Sequence, residues 1–250
     1  MSAMDPRLVV YTCIAGGYDD VQPVRQPEPS VRYVCFTDSA VSPAQGWEVR
    51  PLPRRDLDPL HANRYAKMHP HLLFPEHERS LYVDGNMELK AGVRAFVEEA
   101  LREHPIALMA HPLRDCLYEE GRTCAYYGYG WSWAYHAQFS RYRREGLPAH
   151  AGLYECNVMP RAHHAPEVVT LMEAWWREFL AGVKRDQVSL PYLVWKQKTP
   201  LRVLPPSRTR EDDPNFHLHI GHRKLVWPRR VRGVCNLALP HYWLMPRADA

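Results

Sequence analysis

The stretch SLYVDGNMELK (residues 80–90) decides how the rest of the chain is read. Asp84-Gly85-Asn86 admits two readings. Asp-Gly between alternating apolar residues is among the strongest short hairpin signals. An acidic residue at the carboxyl end of an apolar strand is also where open α/β sheets keep their ligand chemistry. Neighbouring segments bear on the choice. LVVYTCIA (8–15) is a continuous apolar, β-branched run ending at Gly16-Gly17, and VRYVCFTD (31–38) is a second run ending at Asp38. Both read as strands buried on both faces. WEVRPLP (47–53) alternates as a third strand, SLYVDG (80–85) is a fourth and IALMAHP (106–112) a fifth.

Helical spacing falls between these runs. HANRYAKMHPHLLF (61–74) carries a short helical pattern, GVRAFVEEALREH (92–104) a longer one, and residues 131–145 read as helical. PEVVTLMEAWWREFLAG (166–182) opens on proline and closes on glycine, as capped helices often do. RDQVSLPYLVWKQ (185–197) is a further helix, with Pro191 in its first turn or at a kink. GLYECNVMPRA (152–162) holds a short strand. Strands alternating with helices predict an α/β fold with a mostly parallel central sheet flanked by helices. The last fifty residues, rich in proline, histidine and arginine, are expected to form an irregular C-terminal wrap.

Composition narrows the function classes. Hydrophobic residues make up 46% and charged residues 24%, as in ordinary globular chains. The net charge of +4 is mild and its basic residues are scattered, which argues against a nucleic-acid partner. No apolar run is long enough to span a bilayer, so no intrinsic membrane anchor is expected. The first ten residues lack the basic start and apolar core of a signal peptide. Six cysteines without a CxxC pair suit free thiols and a cytoplasmic location.

The ligand rule for open sheets gathers the loops after residues 15, 38 and 85 on one edge. Gly16-Gly17 is either a nucleotide cradle or a strand-exit turn. Arg64 and Lys67, three apart, either clamp a diphosphate or decorate a solvated helix face. Asp84 and Asn86 offer hard oxygen ligands to a divalent cation. In NFHLHIGHRKLVWP (215–228), His217, His219 and His222 offer imidazoles and Lys224 a phosphate cation. Glu155, Asn157, Asp186 and Gln187 are polar groups among apolar ones, suited to sugar hydroxyls or to helix caps. The aromatic block YYGYGWSWAY (126–135) reads as core, with a sugar-stacking platform as the alternative.

The order of these signals matters more than any one of them. YTCIAGGYDD, YVCFTD, the GWEV strand and NRYAKMHPHLLFPEHERSLYVDGNMEL together resemble a glycosyltransferase-like family with bacterial members and plant homologues linked to cell-wall and mucilage polysaccharides. The resemblance is densest over residues 8–90. It implies a GT-A-like single domain over residues 1–250, with a nucleotide-binding half (about 7–112) and an acceptor-binding half with a metal-binding tail (about 113–250). It implies a metal-dependent glycosyltransferase of polysaccharide biosynthesis. The donor would be a nucleotide-diphosphate sugar such as a UDP-sugar, the cation Mn²⁺ or Mg²⁺, and the acceptor a glycan or small molecule.

In that likeness Asp84 matches the first carboxylate of an Asp-x-Asp metal motif and Asn86 replaces the second. HIGHRK resembles the tail motif of glycogenin-like enzymes, so His217, His219 or His222 would complete the metal site and Lys224 would contact phosphate. Tyr11, Thr12, Ala15, Gly16, Gly17 and Tyr18 would line the nucleoside pocket, with Asp38 near the base or ribose. Arg64 and Lys67 would face the donor. Asp186, Gln187 and Glu155 would meet the sugar or the acceptor as catalytic groups. Two rival functions are a phosphohydrolase of nucleotide sugars and a non-catalytic nucleotide-sugar or glycan-binding protein. The oligomeric state is left open.

Overall fold

The computed structural model describes residues 7–40, 46–219 and 227–248. Among them the chain runs β1 (Leu8–Ile14), β2 (Arg32–Thr37), β3 (Glu48–Arg50), α1 (Pro59–Met68), α2 (Pro70–Leu73), β4 (Arg79–Val83), β5 (Met87–Leu89), α3 (Val93–Ala100) and β6 (Ala107–Ala110). It continues through α4 (Leu117–Tyr126), α5 (Ser132–Arg144), β7 (Tyr154–Glu155), β8 (Val158–Arg161), α6 (Pro166–Ala181) and α7 (Asp186–Gln197). It closes with β9 (Arg202–Leu204), β10 (Phe216–Leu218), α8 (Trp227–Ala238) and α9 (Pro240–Leu244). The chain forms two compact units: residues 1–109, 156–173 and 200–223, and residues 110–155, 174–199 and 224–250.

The first unit carries the central sheet, in the order β3-β2-β1-β4-β8. The first four strands are mutually parallel and β8 closes the edge antiparallel. Every residue of β1 is buried, as expected of a parallel strand covered on both faces. Leu8 and Val10 share a core with Leu81, Val83, Val93 and Val97, which places α3 on that side. On the opposite face the Cys13 thiol meets the Ala62 carbonyl of α1. Asp58 caps α1 by accepting from the Leu60 and His61 amides, and Pro59 follows at a position where a missing N–H costs nothing. Pro70 ends that helical pattern and opens α2.

Asp84-Gly85-Asn86 is a tight turn, but not the turn of a hairpin. The Met87 amide donates to the Asp84 carbonyl at 2.9 Å, yet β5 leaves β4 and pairs antiparallel with β10 instead. Gly85 is needed for space: a Cβ there would lie 2.5 Å from Ile14 Cγ1.

The second unit is mainly helical, built on buried Tyr135, Phe139, Tyr142, Trp175, Phe179 and Tyr192. The rings of Tyr142 and Tyr192 stack at 3.8 Å. Glu178 accepts from Tyr142 at 2.8 Å and from Arg141. Pro191 lies inside α7, beyond its first turn.

Two expectations are corrected. The last fifty residues are not irregular throughout, since β9, β10, α8 and α9 fall within them. Pro228 and Pro240 lie in the first turns of α8 and α9, where proline starts helices. The aromatic block 126–135 is not mainly core: Tyr126, Tyr127, Tyr129, Trp131 and Trp133 are exposed, and Tyr135 is buried. Aromatic content signals burial only where a periodic pattern directs it inward, and this block has none.

Candidate functional site

At the carboxyl edge of the central sheet, Gly16 and Gly17 both adopt positive φ, 63° and 59°. Only glycine does so without strain, and the space beside Gly17 is open. Both carboxylate oxygens of Asp38, just beyond β2, accept from the Gly16 amide at 3.0 and 2.9 Å. Asp38 therefore fixes the loop after β1 from the neighbouring strand. It also lines a cleft of about 600 Å³ with Thr37, Ser39, Pro51, Leu52, Arg55, Leu57 and Pro59. That size suits a small-molecule site.

Asp84 follows β4 directly. Its Oδ1 accepts from the Tyr82 hydroxyl at 3.0 Å and faces Lys67 Nζ at 3.3 Å. Lys67 is only 1% exposed and lies 4.9 Å from the Tyr82 ring centroid. A lysine so buried is tolerated because a carboxylate and an aromatic face meet it. Burial, reinforced by the Asp84 charge, pushes the Tyr82 hydroxyl well above the ordinary tyrosine range, so it stays a donor to Asp84.

Bonds to its backbone carbonyl hold Lys67 in place. Arg161, fully buried on β8, donates through Nη1 to the Lys67 carbonyl at 2.8 Å and through Nη2 to the Tyr11 hydroxyl at 2.6 Å. The Tyr11 hydroxyl in turn donates to the same carbonyl at 3.1 Å. Burial raises the Tyr11 pKa to about 12, against the lowering effect of Arg161. Tyr11 and Thr12 therefore lie within the core, and the open part of the loop is Gly16-Gly17-Tyr18. Arg64 is bonded to the Asn63 side chain, whose amide also reaches the Cys13 carbonyl.

Asn86 and His219 are clasped by a pair of hydrogen bonds. Asn86 Nδ2 donates to the His219 carbonyl at 3.0 Å, and the His219 amide donates to the Asn86 carbonyl at 2.9 Å. The imidazole Nε2 of His219 lies 2.6 Å from Glu88 Oε2, and Arg25 Nε lies 2.6 Å from Glu88 Oε1. Burial raises the Glu88 pKa, but its bonds and charges with Arg25 and His219 prevail and hold the carboxyl below its usual range. His217 meets the His219 ring edge to face at 4.9 Å. Beside Asp84, the Asn157 carbonyl accepts the Asp84 amide, and Asn157 Oδ1 is buried with no hydrogen-bond partner among the described residues.

Within the first unit, contacts thus tie Gly16 to Asp38, Lys67 to Asp84, and Asn86 to His219 and through it to His217, with Asp84 and Asn86 in one turn. His222 and Lys224 lie outside the described residues. Glu155, Asp186 and Gln187 belong to the second unit. Glu155 and Asp186 are buried, and Asp186 is the first residue of α7, one position past the cap. Its carbonyl accepts from Trp175 Nε1 at 3.0 Å. Among the described residues, no three His, Cys, Asp or Glu side chains gather as a metal cluster.

Sequence reasoning missed Glu88, Tyr82 and Arg161. Glu88 stands two residues past Asn86 in the quoted stretch and carries a usable signal, an acid opposite a histidine-rich strand. A buried strand arginine such as Arg161 carries none, because its partners are carbonyl and hydroxyl oxygens distant in sequence.

The fold is that of an α/β protein whose candidate ligand groups stand at the carboxyl ends of parallel strands. The family model for the TOD1/MUCI70 glycosyltransferase-like domain matches residues 51–205, well over half of the chain, and the chain belongs to that family. Among solved structures the chain is similar to mouse xyloside xylosyltransferase 1 in its apo form. The identity is 14% and the TM-score 0.48, covering 79% of this chain and 84% of that one. No curated protein matches the sequence.

Proposed function

We propose that the protein is a metal-dependent glycosyltransferase that moves a sugar from a nucleotide-diphosphate donor to a hydroxyl acceptor. The reading treats residues 1–250 as one GT-A-like domain acting in polysaccharide biosynthesis in the cytoplasm, where its free thiols suit a reducing compartment. It is carried by one observation: Asp84, at the carboxyl end of β4, is tied to a buried lysine and adjoins an Asn86–His219 clasp.

The donor set fits a hard divalent cation. Asp84 brings a carboxylate that is one-third exposed, Asn86 an amide oxygen and His219 an imidazole. The Glu88 carboxylate on one ring nitrogen of His219 matches the outer-shell pattern that orients a metal-binding imidazole through the other. Mn²⁺ or Mg²⁺ held there would supply charge neutralisation at the departing diphosphate. Lys67 fixes the Asp84 carboxylate, and Arg161 and Tyr11 fix the backbone carrying Lys67. The Gly16-Gly17 loop would take the diphosphate backbone, and the cleft beside Asp38 the nucleoside. Asn157 Oδ1 would accept a sugar hydroxyl. Arg64, His217, His222 and Lys224 would complete the phosphate and metal surroundings, with Asp186, Gln187 and Glu155 on the acceptor side.

One observation favours a second reading. Lys67 already pairs with Asp84, as it would in a protein that binds a nucleotide sugar without metal. A thermal-shift screen of uridine, guanosine and cytidine diphosphate sugars, with and without Mn²⁺, separates them. The transferase reading expects a metal-dependent shift that Asp84→Ala abolishes, together with a roughly hundredfold loss of transfer rate. A shift that survives Asp84→Ala in metal-free buffer supports the binding protein. If no donor shifts the protein in either buffer, both readings lose their support. Asn86→Asp adds a charge to the donor set but removes the Nδ2 donor that holds the His219 carbonyl: Mn²⁺ binding about tenfold tighter would place the cation on residue 86 itself, and weaker binding would place it on the clasped His219.

A further inference from the structure

Two opposite charges line the cleft beside β2 and do not meet. Asp38 and Arg55 both face it, yet no ion pair joins them. Asp38 is already engaged: both its oxygens meet the Gly16 amide, and Oδ1 lies 3.4 Å from the Ser39 hydroxyl. A carboxylate has about four lone-pair sites, so acceptor capacity remains there. Arg55 is engaged by nothing. It has no hydrogen bond, ion pair or aromatic ring among the described residues.

The neighbouring arginines show that this is particular to Arg55. Arg50 Nε donates to Glu48 at 2.8 Å, and its guanidinium lies 5.7 Å from the Phe74 ring centroid. Arg54 donates to both oxygens of Asp56 at 2.8 and 2.6 Å and lies 5.3 Å from the Tyr65 ring centroid. Of the three, Arg55 alone lines the cleft. The remaining walls include Leu52 and Leu57, both half-buried, and two prolines. An aliphatic wall suits a flat ring better than a hydrated anion, and the Asp38 carboxylate in the same cleft opposes an anion further. The cleft therefore fits a neutral polar ring system that brings hydrogen-bond donors to Asp38 and acceptors to Arg55.

A guanidinium donates five N–H groups and accepts none. It can bond the O4 carbonyl of uracil, or O6 and N7 of guanine. Against the amino group that cytosine and adenine carry at the corresponding ring position, it sets donor against donor. We propose that Arg55 reads the base of the donor nucleotide and selects the keto bases, uracil or guanine, over the amino bases, cytosine and adenine. The inference rests on the transferase reading, in which this cleft takes the nucleoside, and adds to it the residue that chooses the base.

The test is calorimetric titration of the full chain with UDP, GDP, CDP and ADP in the presence of Mn²⁺. UDP or GDP is expected to bind at least about tenfold more tightly than CDP and ADP, the effect of one mismatched base edge. Arg55→Gln, whose amide both donates and accepts, should bring the four within about threefold by weakening the preferred nucleotide alone. Arg55 is exposed and without a partner in the chain, so the melting temperature of the free variant should match that of the wild type. Equal binding of all four nucleotides, or preference for CDP or ADP, overturns the inference and leaves the transferase reading standing. So does an equal loss for all four in Arg55→Gln, which would put Arg55 on the ribose or diphosphate that they share. Absence of binding by every nucleotide overturns the inference together with the reading beneath it.

Discussion

The end of β4 and the outer face of α8 break the same rule in opposite directions. Around Asp84 the chain buries charge: Lys67 and Arg161 are almost inaccessible, and each is met by a carboxylate, a carbonyl, a hydroxyl or an aromatic face. On α8 it buries an asparagine and exposes valines. A chain folding only for stability would do neither, because buried charge needs costly pairing and exposed aliphatic groups forgo transfer free energy. In the first region the departure creates a polar constellation at a sheet edge. In the second it leaves Val231 and Val234 exposed among the described residues. The difference teaches that a buried polar group can have two uses, arranging a site or orienting a helix.

The contrast breaks most visibly at Asn236. Asn236→Ala removes the partner of the Gly130 carbonyl and of the Ser132 amide, while the Ala125 carbonyl keeps the Gly128 amide, and should cost about 2 kcal/mol in urea unfolding. A loss below about 1 kcal/mol would mean that the valine face, and not the asparagine, sets the orientation of α8. Next, Gly85→Ala forces a methyl against Ile14 at the foot of the Asp84 turn and should cost about 2 kcal/mol. Donor-dependent stabilisation should fall with it, since the turn carries Asp84 and Asn86.

A pH effect sharpens the comparison on the buried side. His163 is buried, its Nε2 lies 3.1 Å from the Phe74 carbonyl, and burial lowers its pKa from 6.5 to about 3. Between these values the unfolded chain binds a proton that the folded chain does not. Its contribution is therefore fully present above about pH 6.5 and is lost as pH falls toward 3. His163→Gln should flatten that part of the stability–pH curve, and an unchanged slope would refute the assignment. The smallest effect is expected on the exposed side. Val234→Ser should change unfolding free energy by less than about 0.5 kcal/mol, although the same change in a core would be severe.

Much of this was legible in residue order. Of the parallel strands, β1, β2 and β4 were visible as apolar runs, because a strand buried on both faces needs no alternation, and β3, exposed at the sheet edge, was visible by its alternation. The glycine pair, Asp38, Asp84 and Asn86 were legible as strand-end residues, because open sheets keep their loops at one edge. Lys67 was read as a cation facing a ligand, but it is buried against Asp84, and spacing along a helix does not reveal what covers its face. The helices of the last fifty residues were hidden by proline content, which marks a helix start as readily as an irregular chain.

By itself the sequence determined the class of fold, the order of the sheet strands' segments and the acidic residue at the end of β4. These follow from local rules, periodicity and turn chemistry, that act over a few residues. Only tertiary structure decided that the Asp84 turn sends β5 to β10 instead of back along β4, that Arg161 and Tyr11 brace Lys67, and that α8 shows its valines to solvent. Each of those outcomes depends on contacts between residues far apart in the chain, where burial and hydrogen-bond satisfaction are settled jointly and no local pattern records the result.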